Sequence, residues 1–188
     1  MSKGMTIRDI AGLCPEEAVW KMLADVSGSL MTGGYDNDLS PDAVIIDGDS
    51  FMIRDSQCTC NEFLAAEHQD GRATEKEWVW SLGAMAYYAA TGHTVFGGHG
   101  GSYQREHPLV SLPVLPKGMQ ALTMAVQKCL CYNPEDRIGL KELNGLALRE
   151  LAECAKKKRR KVEPSKREET DREVNNIGEK WPEEMVEV

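Results

Sequence analysis

The sequence predicts a mainly helical domain carrying one small β-hairpin, followed by a charged tail. Three observations predict it. Glu75–Gly92 contains a run from Trp78 to Ala90 with no charged residue and apolar side chains on every side, the pattern of a helix buried in the middle of a fold. Several other segments repeat apolar residues at helical spacing. Val44–Ile46 and Phe51–Ile53 are short strand-forming runs joined across Asp47-Gly48-Asp49, a hairpin signal.

The first helical segment is short, Thr6–Leu13. The second is the amphipathic stretch that opens at Cys14-Pro15. Pro15 suits a first turn, Glu16 and Glu17 suit a helix N-terminus, and Val19, Met22, Leu23, Val26 and Leu30 fall on one face. Gly33-Gly34 ends it. The central run starts at Thr74 with Glu75 and Glu77, a capped acidic beginning, and stops at Gly92. It is too short to cross a membrane, which takes about 18–20 apolar residues. Gly118–Tyr132 and Leu140–Cys154 complete the set, with Leu122, Val126 and Cys129 on one apolar face and Leu143, Leu146, Ala147 and Leu151 on the other. Residues 1–155 are thus expected to form the domain and 156–188 a largely flexible tail.

Of the 188 residues, 41% are hydrophobic, an ordinary globular share. The net charge of −8 is unevenly spread: residues 1–155 hold 12 basic and 21 acidic side chains. Such a body disfavours nucleic acid and anionic membrane as ligands. The opening MSKGMTIRDI has no apolar signal core, and the six cysteines show no secreted-domain spacing, so a cytoplasmic protein with reduced thiols is expected. The run Lys156–Lys161, KKKRRK, admits nuclear import, an acidic partner, or a solvated helix end suited to the dipole.

Several motifs, in order, carry a resemblance. Glu67–Gly92, EHQDGRATEKEWVWSLGAMAYYAATG, resembles the stretch of protein kinases from the end of the activation segment through the central helix of the large lobe. Its Val79–Gly83, VWSLG, matches the usual wording. Phe63–Glu67 resembles the kinase "APE" motif, with Ala66 in place of Pro. Asn133–Leu143 resembles the stretch between the last two helices. The helix opening at Pro15 is similar to that of non-catalytic kinase C-lobe-like domains. The resemblance covers about Thr6–Ala155 and implies a kinase large-lobe (C-lobe) fold. Only five residues precede Thr6, so no small lobe (N-lobe) is expected in this chain.

The resemblance also says which catalytic parts are changed. Asp36-Asn37-Asp38 stands for the HRD of the catalytic loop, so Asp38 keeps the base carboxylate. Ser40 takes the place of the catalytic-loop Lys and Ala43 that of the metal-binding Asn. Asp55-Ser56-Gln57 stands for DFG and retains only its Asp. Phosphoryl transfer depends on cations over the developing charge and on ligands that hold the metals. Asp38 and Asp55 are therefore vestigial positions, and no catalytic residue and no cofactor is expected. Trp78 falls where a central-helix Asp would brace the catalytic loop. The resemblance further implies that Glu67 and Arg137 form a structural ion pair.

The expectation is a catalytically inactive, pseudokinase-like module that binds another protein, with self-association through the surface a small lobe would cover as a further option. One alternative is residual Mg-nucleotide binding by Asp38 and Asp55, with a small lobe supplied by another chain. Another is a metal-binding regulator using the C-x-C pairs Cys58/Cys60 and Cys129/Cys131. Against that, i and i+2 on a helix point about 200° apart, and Cys129 suits a core position. Gly97–Gly101, GGHGG, reads as a mobile loop, since it lacks the strand-turn-helix context of a phosphate cradle. In kinases a helix sits in the region that here lies between the central helix and Gly118, and the Gly and Pro content implies that it is shortened or absent. His93, His99 and His107 are too irregularly spaced for a metal motif.

Overall fold

The computed structural model describes residues 4–56, 60–69 and 72–177. The chain divides into two units, Met1–Leu151 and Ala152–Val188. In chain order the elements are α1 (Glu16–Met31), β1 (Val44–Asp47), β2 (Ser50–Ile53), α2 (Glu75–Thr91), α3 (Gly100–Glu106), α4 (Gln120–Cys129) and α5 (Leu140–Ile177). Short 3-10 turns at Ile7–Ile10, Asn61–Phe63, Val95–Gly98 and Pro134–Asp136 punctuate them. The fold is mainly helical, with a two-stranded antiparallel sheet.

α2 is the centre of the first unit. Thr74 accepts from the Glu77 N–H, and the Glu77 carboxylate accepts from the Thr74 N–H at 2.7 Å, a reciprocal cap that fixes where the helix begins. Gly92 closes it in the left-handed region with φ of 75°, open to glycine at little cost. Val79, Trp80, Leu82, Ala84, Met85 and Ala86 are all fully buried, so consecutive residues face protein on every side. At Gly83 a Cβ would meet the Cys129 side chain, so the missing methylene lets α4 approach α2 closely.

Polar groups lock the helices in register. The Trp80 indole N–H donates to Gln104 Oε1 at 2.9 Å, and Gln104 Nε2 donates to the Leu130 carbonyl at 2.7 Å. One buried amide thus ties α2, α3 and the end of α4. Asn144 of α5 donates to the Ala24 carbonyl and to Ser27 Oγ on α1. Glu75 Oε1 accepts the Leu140 N–H and caps the start of α5.

In the hairpin, Val44 pairs with Ile53 and Asp47 with Ser50. One outward amide on each of its outer sides is bonded. The Ile46 N–H donates to the Met5 carbonyl, and the Phe51 N–H to the Asp25 carboxylate of α1 at 3.0 Å, itself bound by Lys21.

Between Gly92 and Gly118 a short helix of seven residues is present, the shortened form of the expectation, and it is the reading of the glycine run that is corrected. Gly97–Gly101 forms neither a mobile loop nor a cradle: the chain makes a 3-10 turn there and then α3. A Cβ on Gly101 would collide with the backbone of Ala65 and Ala66, and the Gly101 N–H donates to the Leu64 carbonyl at 2.8 Å. The glycines that suggest flexibility instead permit close backbone packing. The charged stretch after Ala155 continues α5 as far as Ile177, consistent with its many Lys, Arg and Glu residues, which are good helix formers. The stretch expected as the tail is helical over its described part, 156–177, and residues 178–188 lie outside the described residues. Among the described residues, no helix is long and apolar enough to cross a membrane.

Candidate functional site

The two carboxylates singled out in the sequence lie on either side of the hairpin, Asp38 in the connection from α1 to β1 and Asp55 just after β2. That connection is held from several directions. Tyr35 is buried, and its hydroxyl donates to the Asp38 carbonyl at 2.9 Å. Burial, with the carboxylates of Asp55, Asp38 and Asp36 nearby, pushes the Tyr35 phenol up to about 12, so it stays a donor. The Trp78 indole N–H donates to the Asn37 carbonyl at 3.0 Å, and the Trp78 and Tyr35 rings stand 6.3 Å apart between centroids. The Ala73 N–H donates to the Asp36 carbonyl. Asn37 Nδ2 lies 3.4 Å from Asp55 Oδ1, a long contact that relates the two acidic segments.

The Asp38 carboxylate itself faces His68. His68 Nδ1 is 2.9 Å from Glu77 Oε1 and 3.6 Å from Asp38 Oδ1. Burial tends to raise the Glu77 carboxyl, but the Thr74 bonds and His68 outweigh it and hold the group below its ordinary value. At position 40 the Ser hydroxyl is buried, with no hydrogen-bond partner among the described residues. At position 43 stands the methyl of a fully buried Ala. A buried hydroxyl brings no charge to a phosphate, and a methyl has no ligand atom.

Glu67 and Arg137 are brought together. Arg137 Nη1 lies 2.5 Å from Glu67 Oε1 and Nη2 3.1 Å from Oε2, a two-pronged contact. The guanidinium is wholly buried and also donates to the carbonyls of Cys131, Tyr132 and Lys76. Its charge is thus met by a carboxylate and three backbone dipoles.

The C-x-C cysteines do not gather. Cys129 is buried against Gly83, while Cys131 Sγ donates to the Gln127 carbonyl. Cys60 lies beside Arg8 Nη2 and Asp42, and Cys58 is outside the described residues. Among the described residues, no group of three or more His, Cys, Asp and Glu stands ready to hold a metal ion. Among the described residues, one cleft of about 280 Å³ lies beside Glu67, Arg105 and Tyr132, and another of about 460 Å³ lies between the start of α1 and the hairpin turn. Neither is lined by Asp38 or Asp55.

Sequence reasoning missed His68 as the partner of Asp38, and missed Trp78 as a donor to the loop. Both contacts cross between distant segments, and no local spacing announces them. No protein-family model matches the chain, and no curated protein matches it.

Proposed function

We propose that this chain is a catalytically inactive module, similar to the large lobe of protein kinases, that acts by binding another protein. The observation that carries the reading is the wiring of the Asp38 connection. Where a bracing carboxylate would orient a catalytic loop, the Trp78 N–H meets a backbone carbonyl, and the Asp38 side chain is turned to His68. Ser40 and Ala43 supply neither a cation nor a metal ligand nearby. The Glu67–Arg137 pair and the buried α2 support the scaffold half of the reading.

Two exposed methionines, Met52 in β2 and Met5 beside β1, offer apolar surface of the sort that association covers. Residual Mg-nucleotide binding through Asp38 and Asp55 is the competing outcome. Thermal unfolding with and without ATP and Mg²⁺ separates the two, because a ligand that binds only the folded state raises the melting temperature. The expected result is no shift. A shift that disappears in Asp55→Ala overturns the reading.

A further inference from the structure

We propose that His68 is a proton-operated clasp between the Asp36–Asp42 connection and the start of α2. The geometry makes its two contacts unequal. At 2.9 Å, Nδ1 and Glu77 Oε1 are at hydrogen-bond distance; at 3.6 Å, Nδ1 and Asp38 Oδ1 are not. Both groups facing Nδ1 are carboxylates, so this nitrogen carries a proton whether the ring is neutral or charged, and that proton is given to Glu77. What remains for Asp38 is charge attraction, and it exists only while the ring is an imidazolium.

The side chains of His68, Asp38 and Glu77 are 16%, 20% and 10% exposed, sheltered enough for that attraction to be felt. Other charged groups around the connection are Asp36, facing Arg72 at 3.5 Å; Asp55, facing Asn37; and Asp42, paired with Arg8 at 2.7 Å while its carbonyl accepts from Arg54 Nε. Histidine is the residue type whose charge changes between about pH 5 and 8. Protonation draws Asp38 toward α2 and tightens the connection; loss of the proton leaves the Glu77 bond and frees Asp38. The connection then keeps the bonds from Tyr35, Trp78 and Ala73, the contacts of Asp36 with Arg72 and of Asn37 with Asp55, and the Arg8–Asp42 pair.

The test is hydrogen exchange of the Ala73 amide, which donates to the Asp36 carbonyl and so reports opening of the connection. After correction for intrinsic exchange, protection at about pH 5.5 is expected to exceed that at about pH 8 by roughly two- to tenfold. His68→Gln keeps an N–H for Glu77 but cannot be protonated, and Asp38→Asn removes the attracted charge while leaving His68 and Glu77 in place. Both variants are expected to show equal protection at the two pH values. Equal protection in the wild-type chain overturns the proposal, as does a pH difference that survives in Asp38→Asn.

Discussion

The Trp78 indole N–H donates to the carbonyl oxygen of Asn37, so α2 holds the Asp38 connection by offering a proton rather than by accepting one. This polarity has a direct consequence. Trp78→Phe keeps much of the ring but removes the donor, and a loss of about 1 kcal/mol is expected in chemical denaturation. Trp78→Asp is expected to be worse than Trp78→Phe, since it sets a carboxylate against a carbonyl. A more stable Asp variant would mean that the connection turns its N–H groups toward α2.

Arg137 is wholly buried and Glu67 partly exposed, so their removal is asymmetric. Glu67→Ala leaves a buried cation facing only carbonyls and is expected to cost about 3 kcal/mol. Replacing both residues with Met is expected to recover part of that loss, because no charge then remains to be stranded. Urea unfolding of the two single variants and the pair measures the coupling.

Glu77 sets an acid limb on stability. Burial disfavours its charge, but the Thr74 bonds and His68 more than compensate, so its folded value lies below the ordinary 4.5. A carboxyl lowered in this way stabilises the fold above 4.5, and the contribution is lost as pH falls through the depressed value. Glu77→Gln is expected to flatten the decline of melting temperature below that point, while costing stability at neutral pH.

Burial pushes the Cys129 thiol up to about 12. Alkylation near neutral pH should therefore leave Cys129 unmodified in the folded protein while the less buried Cys60, Cys131 and Cys154 react. Mass spectrometry of the digested, labelled protein reads this directly. Modification of Cys129 at the rate of Cys131 would show that α4 opens readily from α2.

The helices were legible wherever a local signal was strong. Thr74 and Gly92 mark the ends of α2, and the uncharged run between them marks its burial. The hairpin was legible from two β-branched and aromatic runs about Gly48. α3 was legible only as a helix shortened or absent, because glycines at 97, 98, 100 and 101 signal freedom in a sequence, whereas here Gly101 serves contact with Ala65 and Ala66, residues about 35 positions earlier. The candidate site divides the same way. Its carboxylates were visible as residues and the resemblance set Trp78 against the Asp38 connection, but the neighbours His68 and Tyr35 depend on how distant segments meet.

The hairpin's borders bear on how a partner can approach. Strand edges ordinarily tempt other chains into adding a strand, through unpaired amides in a row. Here Met5 occupies one flank and the carboxylate of Asp25 seals Phe51 on the other. A visiting peptide finds that amide already taken and an anion guarding it. An extended strand added along β2 would meet that bonded amide and the carboxylate beside it, which disfavours both edge-to-edge pairing and the stacking that leads to fibrils.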